Sequence, residues 1–118
     1  MGTRSLTFVY DDAEPVVCMY RQFDGYPEGH GAELAEFLNT VEGTNGMGDV
    51  AALLVAHFKK EPYNFYLHPP ILGRDDWQEY EYHVHNDKVL VTTPLAKEIL
   101  FLGSWKQLAE FCKEKEVA

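Results

Sequence analysis

Alternating apolar and polar residues near the start of the chain predict a β-hairpin. Residues 4–11 are rich in β-branched and aromatic types, and their alternation places Leu6, Phe8 and Tyr10 on one face of a strand. A run of Asp, Glu and Pro follows, which is typical of a turn. A second strand is then predicted over residues 16–23, so the two strands form a hairpin.

A second hairpin is predicted over residues 80–93, where two alternating runs flank Asn86 and Asp87. A two-residue turn at this point pairs Val84 with Val89 and places alternate residues on opposite faces. The face assigned to the core consists of Tyr80, Tyr82, Val84, Val89 and Val91. The opposite face, expected to be solvated, consists of Glu79, Glu81, His83, His85 and Lys88.

Apolar residues spaced three and four apart predict three helices. The first covers residues 32–39 and the second begins at Asp49, each with a buried stripe of large apolar side chains. A further strand is predicted over residues 98–102. Ser104 then begins the last helix, and Gln107 three positions later completes a capping box.

These elements follow one another in the order ββααβββα, which predicts a single α+β domain over residues 1–118. The chain has 118 residues, the size of one compact domain. No strand–helix–strand rhythm of short period is present, so we expect one antiparallel sheet of about five strands with helices on one face. Residues 63–76, rich in Tyr and Pro, are predicted to be an ordered irregular segment.

The charge balance limits the classes of partner. Ten Lys and Arg against nineteen Asp and Glu give a net charge of −9, which repels long nucleic acids and anionic membranes. A small anionic ligand remains compatible with this charge, because two neighbouring arginines outweigh a distant field. Cys18 and Cys112 are interpreted as free thiols of a cytoplasmic protein, since no apolar run of signal-peptide length opens the chain.

Residues 20–31, YRQFDGYPEGHG, hold the densest group of chemically active side chains. Glycines in such a loop allow a ligand to approach the backbone, and the helix that follows would direct free N–H groups at an anion. Strand pairing should bring Arg4 near Arg21, and two guanidiniums suit a phosphate or carboxylate. Alternatively, the two arginines pair with Asp24 and Glu28 and hold the loop. The predicted ligand-binding set is Arg4, Tyr20, Arg21, Gln22, Asp24, Tyr26 and His30.

The sequence offers weaker support for metal or nucleophilic chemistry. His83 and His85 lie two apart on one strand, which is half of a metal site, but no further His or Cys has conventional ligand spacing. We therefore expect both histidines to face solvent without a metal. Ser104 is explained by its cap, and Cys18 lies among apolar residues that favour an inert thiol. No catalytic residue and no cofactor is predicted.

The opening MGTRSLT, together with YRQFDGYPEGHG, resembles a family of small bacteriophage and bacterial proteins that has no established activity. The resemblance is strong over about the first 40 residues and loose beyond them. It implies a viral protein that acts in the host cytoplasm. By analogy with other small phage proteins, it also suggests an anti-defence factor that sequesters a nucleotide-derived signal.

The function favoured by the sequence is binding without catalysis of a small anionic, nucleotide-like ligand, by a protein that forms a homodimer if the site lies at a sheet edge. Two alternatives remain open. The first is a hydrolase of a phosphorylated metabolite, with His30 as general base assisted by Asp24 or Glu28. The second is a protein–protein inhibitor that offers its acidic surface to a basic partner.

Overall fold

The computed structural model describes residues 2–42, 48–60, 62–94 and 97–117. The strands are β1 (Ser5–Asp11), β2 (Glu14–Arg21), β3 (Phe65–His68), β4 (Tyr80–Val84), β5 (Val89–Thr92) and β6 (Ile99–Gly103). The helices are a π-helical turn (Pro27–Gly31), α1 (Ala32–Leu38), α2 (Asp49–Phe58) and α3 (Trp105–Val117). No helix in these described ranges is long and apolar enough to cross a membrane.

All six strands belong to one mixed sheet with the order β3-β2-β1-β4-β5-β6. The α+β class is confirmed, and both predicted hairpins form. Ser5 pairs with Arg21 in the first hairpin, and Val84 pairs with Val89 in the second, as the two-residue turn requires. The His85 N–H donates to the Lys88 carbonyl at 2.8 Å and closes that turn.

The expectation of about five antiparallel strands is wrong in two respects. Phe65–His68, within the segment predicted to be irregular, pairs with β2 as an additional edge strand. In addition, β1 and β4 are parallel, with Ser5 opposite Tyr80. Parallel neighbours need a long crossover connection, and here that crossover includes β2, α1, α2 and β3. It therefore lacks the short strand–helix–strand rhythm by which a parallel pair is recognised in a sequence.

The helices pack on one face of the sheet, as predicted. The core there is formed by Val9 and Met19 of the first hairpin, the inward residues of the second hairpin and the apolar stripes of all three helices. The buried side chains from the second hairpin are those assigned to the core from sequence: Tyr82, Val84, Val89 and Val91.

Part of the opposite face of the sheet is covered too. The prediction of a solvated surface is therefore confirmed for Glu79 and Lys88, which are exposed, but not for the positions between them. Glu81 and His83 are both buried there. The reason is the segment over residues 69–79, which folds back on this face: Gln78 Nε2 donates to Glu81 Oε2 at 2.9 Å. His83 is held by the hydroxyl of Tyr10, 2.7 Å from its Nδ1, and stacks on Phe8 with ring centroids 5.2 Å apart. The prediction that His83 faces solvent is therefore wrong.

Candidate functional site

Arg21 ends β2 on the helix-covered face, and several partners fix its guanidinium. Its Nε donates to the Phe23 carbonyl at 2.5 Å, and its Nη1 contacts the Glu33 carboxylate and lies 3.1 Å from His30 Nδ1. The guanidinium also lies over the ring of Phe65, 4.9 Å from the centroid. Because Arg21 is buried, these contacts hold a permanent positive charge in one orientation.

His30 lies behind Arg21 and is fully buried. Its Nε2 is 2.7 Å from Thr7 Oγ1. Arginine can only donate, so Nδ1 accepts the hydrogen bond from Arg21, and Nε2 carries the ring proton and donates to Thr7. Burial, reinforced by the charge of Arg21, lowers the pKa of His30 well below its usual value. The imidazole is therefore neutral and serves as a support for Arg21.

A cavity of about 470 Å³ opens beside Arg21, between α1, α2 and β3. This Arg21 cavity lies in the size range of about 300–1,000 Å³ that holds small organic ligands. It combines charges of both signs with aromatic rings. Its lining residues are Arg21, Glu33, Glu36, Phe37, Thr40, His57, Phe58, Lys60, Asn64 and Phe65.

Two basic side chains reach the Arg21 cavity from the C-terminal part of α2 and just beyond it. His57 stacks on Phe37 with ring centroids 4.1 Å apart. Burial, and then the charge of Lys60, lower the pKa of His57, which favours the neutral ring at physiological pH. Lys60 is exposed and, with Arg21, supplies a permanent positive charge at the wall. The wall thus offers a flat aromatic pair next to two cations.

The residues predicted from sequence do not converge on this cavity. Of the predicted set, Arg21 alone is among its lining residues. The hydroxyl of Tyr20 donates to Gln22 Oε1 at 2.6 Å, and the Tyr20 ring stacks on His68 on the opposite face of the sheet. Arg4 is half-buried, and its carbonyl accepts the N–H of Glu79 at 2.9 Å. Gln22 contacts a lining residue of the Arg21 cavity through its backbone, since its N–H donates to the Asn64 carbonyl at 2.9 Å.

Asp24 and Tyr26 form an exposed pair at the Gly-rich loop, with the Tyr26 hydroxyl donating to Asp24 Oδ1 at 3.1 Å. This hydrogen bond, together with the charge of Asp24, raises the pKa of Tyr26. Tyr26 also lines a second, more open cavity of about 450 Å³, whose charged lining residues are Glu28 and Glu79. Unlike the Arg21 cavity, this second cavity has no Lys or Arg among its described lining residues to offset its two carboxylates, so it is a poor place for the predicted anion.

The glycines of the loop over residues 25–31 are explained by packing. A Cβ on Gly25 would lie 2.8 Å from both Ser5 Cβ and the Thr3 carbonyl, and one on Gly31 would lie 2.8 Å from Cys112 Sγ. Pro27–Gly31 forms a π-helical turn that runs directly into α1, so α1 does not present a free N-terminus. The two features that suggested an anion site at the loop backbone are therefore structural.

Sequence reasoning missed Glu33, Glu36, Phe37 and Thr40 as one surface. Their spacing of three, four and seven residues is that of a single helix face, and it was available from the sequence. The sequence marks His57 only as a histidine beside the apolar stripe of α2, a position typical of the edge of a core. Nothing in the sequence marks Lys60 as a residue of the site, because its position against α1 depends on how the two helices pack.

Metal chemistry has no visible site in the described part of the chain. There, no group of three or more His, Cys, Asp or Glu side chains could hold a metal ion. His85, two residues after His83, stacks on Tyr10 with ring centroids 4.3 Å apart.

Comparisons of the whole chain with family models, curated proteins and solved structures gave no match. The site must therefore be interpreted from its own geometry.

Proposed function

We propose that this protein binds a small anionic, nucleotide-like ligand in the Arg21 cavity and does not convert it. The observation that carries the proposal is the buried guanidinium of Arg21, held by Phe23, His30 and Glu33 at the wall of a cavity of ligand size. A site built in advance loses little conformational entropy on binding. In the role suggested by the sequence, the protein would sequester such a ligand in the cytoplasm of a host cell.

The chemistry of the lining residues suits the two parts of a nucleotide. Arg21 Nη2 forms no hydrogen bond with the described residues, whereas Nε and Nη1 both do. An anion that takes the place of the Glu33 carboxylate on Nη1 can therefore also accept a hydrogen bond from Nη2. Lys60 adds a second positive charge. The stacked pair of Phe37 and His57 offers a flat apolar surface on which a base can lie.

Burial of His30 favours binding over catalysis. A general base must reach the proton that it removes, whereas His30 is fully buried with both ring nitrogens hydrogen-bonded. Asp24 and Glu28, the assisting residues of the hydrolase alternative, are exposed on the loop. A hydrolase that used these three residues would need the loop to unfold from the sheet.

The proposal is tested by isothermal titration calorimetry with AMP, GMP, CMP, UMP and inorganic pyrophosphate. Arg21→Lys keeps the charge but loses the planar fork, so we expect it to weaken binding about tenfold or more. Lys60→Ala should weaken binding about threefold to fivefold, because Lys60 is exposed.

Two variants serve as controls, each checked by its melting temperature. Lys113→Ala removes an exposed charge from α3, and Arg4→Ala removes the other arginine of the sequence-based set. Neither should change the affinity by more than about twofold. Loss of binding in Arg4→Ala with full binding in Lys60→Ala would move the site to the Gly-rich loop. No heat with any of the five probes would contradict the proposal.

Turnover is tested separately, by mass spectrometry of the ligand after prolonged incubation with the protein. We expect the mass of the bound nucleotide to be unchanged. Two products whose masses together exceed that of the ligand by one water would instead establish the hydrolase alternative, and a His30→Gln variant would show whether His30 takes part in it.

Trp77 favours a second candidate function, inhibition of a protein partner. It is 80% exposed and lies on the same segment as the exposed Ile71 and Leu72, and exposed aromatic residues of this kind are common at protein interfaces. If this candidate is correct, a protein that copurifies with the wild type should be lost from Trp77→Ala, while nucleotide binding is unchanged. Copurification that survives the substitution would exclude this role for Trp77.

A further inference from the structure

We infer that Glu33 is a built-in competitor for the anion position at Arg21, and that a carboxylate or phosphate group of the ligand must displace it. This inference rests on the proposed function, because it concerns the same Arg21 cavity. It adds that the ion pair between Arg21 and Glu33 regulates binding, and that this pair restricts which ligands can bind. Both conclusions follow from the difference in exposure between the two side chains.

The two partners of this ion pair differ sharply in exposure. The side chain of Arg21 is 6% exposed, whereas that of Glu33 is 52% exposed. Arg21 is also held by the Phe23 carbonyl, by His30 and by the ring of Phe65. Glu33 can therefore rotate into water while the guanidinium stays in place, and the reverse movement would break several contacts.

Glu33 has a clear role in the empty protein. A buried guanidinium without a counter-charge strongly destabilises a fold, and His30, which is neutral, cannot supply that charge. An anionic ligand that takes the position of Glu33 restores the charge balance at Arg21 and releases Glu33 to solvent. The exchange is therefore close to neutral in charge, which allows the site to be empty or filled without unfolding.

The same geometry restricts the ligand. A group that replaces a carboxylate on a guanidinium must itself offer oxygens that accept hydrogen bonds from a planar fork, as carboxylates and phosphates do. Halide ions lack this geometry. A neutral nucleoside would leave Glu33 in place and use the aromatic wall alone, so it should bind more weakly than its phosphate.

Glu36 provides a matched control for Glu33. It lies three residues further along α1, is exposed, and lines the same cavity. It forms no ion pair or hydrogen bond with the described residues, whereas Glu33 contacts Arg21. Neutralising either residue removes one negative charge from the cavity wall, but only Glu33→Gln removes the competing carboxylate.

The experiment measures binding of AMP and of inorganic pyrophosphate to the wild type, Glu33→Gln and Glu36→Gln by titration calorimetry. We expect Glu33→Gln to bind both probes about tenfold more tightly than the wild type. Any gain in affinity in Glu36→Gln should stay below about threefold. Without a probe, Glu33→Gln should melt at a lower temperature, and saturating pyrophosphate should restore it. Should Glu33→Gln fail to fold, Glu33→Asp retracts the carboxylate by one methylene and should act in the same direction.

Each outcome separates this inference from the proposed function. Equal gains in Glu33→Gln and Glu36→Gln would overturn the inference, because general electrostatics would explain both. Binding by the wild type that Glu33→Gln leaves unchanged would overturn it while leaving the proposed function intact. Binding by Glu33→Gln alone would support competition by Glu33 but contradict the proposed function, because the wild type would then not bind the probes. Absence of binding in all three proteins would overturn both proposals.

Discussion

Trp77 combines high exposure with an unfavourable backbone conformation. Its φ is +65°, in the left-handed region that costs a residue with a Cβ about 1–2 kcal/mol. The conformation is imposed by its neighbours: Asp75 Oδ1 accepts the Trp77 N–H at 3.0 Å, and the buried Gln78 hydrogen-bonds to Asp76 N and to the Arg74 carbonyl. The side chain itself contributes little packing.

Replacing Trp77 should therefore not destabilise the fold. Asn tolerates the left-handed region better than Trp, so we expect Trp77→Asn to raise the free energy of unfolding by about 0.5–1 kcal/mol in urea titrations. Ile71→Asn, which also replaces an exposed apolar residue, should stay within about 0.5 kcal/mol of the wild type. A clear loss of stability in Trp77→Asn would mean that the indole packs on the protein after all.

The two cysteines are free thiols, which confirms the interpretation from sequence, and both are buried. Cys18 belongs to the cluster on the loop-covered face, and Cys112 belongs to the core under the helices. Burial raises the pKa of each thiol to about 12, so very little thiolate is present at pH 8.

Both thiols should react with iodoacetamide only when the fold opens. At pH 8, mass spectrometry should show the native protein alkylating slowly at both sites, and unreduced protein in guanidinium taking up two labels within minutes. Rapid labelling of Cys18 alone in the native protein would show that the segment over residues 69–79 leaves that face frequently. No labelling in guanidinium would contradict the assignment of free thiols.

At the scale of secondary structure, the capping box of α3 forms as predicted. The Gln107 N–H donates to Ser104 Oγ at 3.1 Å, and the Ser104 N–H donates to Gln107 Oε1 at 2.9 Å. Two otherwise unpaired donors at the start of the helix are thus satisfied.

Removing this cap should weaken the attachment of α3. We expect Ser104→Ala to lower the free energy of unfolding by about 1 kcal/mol, as measured by urea denaturation followed by circular dichroism. Ser104→Asp, which can accept the same hydrogen bond, should retain most of that stability. If Ser104→Ala proves as stable as the wild type, tertiary packing rather than the cap fixes the start of α3.

Local signals were sufficient for the hairpins and helices, but not for the strands whose partners are distant. The Asn86-Asp87 turn sets the register of β4 and β5 by itself. β3 has only four residues, two of them exposed, and its pairing with β2 depends on a chain reversal more than forty residues long. The same is true of the parallel pair β1 and β4, because alternation within a strand carries no information about its neighbour's direction.

In the folded protein, two residues singled out from the sequence, Arg21 and His30, meet at the candidate site, whereas the surface around them was missed. Arg21 was singled out because strand pairing is a local property. The wall of the Arg21 cavity comes from α1, α2 and β3, and its assembly depends on how two helices pack on the sheet. Sequence-based counting therefore combined Arg21 with loop residues that are near in the chain, whereas the fold combines it with Phe37, His57 and Lys60.

His30 contacts β1, β2, β4 and α2, and it should control how the stability of the fold depends on pH. It bonds to Thr7 of β1 and Arg21 of β2, and its ring packs on Phe58 of α2 and Tyr82 of β4. Its folded-state pKa lies well below 6.5, first because of burial and then because of Arg21. Below about pH 6.5, His30 is therefore protonated in the unfolded state but stays neutral in the folded state. The free energy of unfolding falls as the pH falls.

The expected slope from this one group is at most about 1.4 kcal/mol per pH unit, and His30→Gln isolates it. Gln can donate and accept hydrogen bonds but does not titrate, and the variant keeps His57 and His85, whose pKa values are also lowered. In urea titrations from pH 7.5 to pH 5.0, the wild type should lose stability more steeply than His30→Gln below pH 6.5, and the two slopes should agree above it. Parallel curves throughout would mean that the folded protein accommodates a proton on His30. That result would contradict the assignment of a neutral imidazole that supports Arg21.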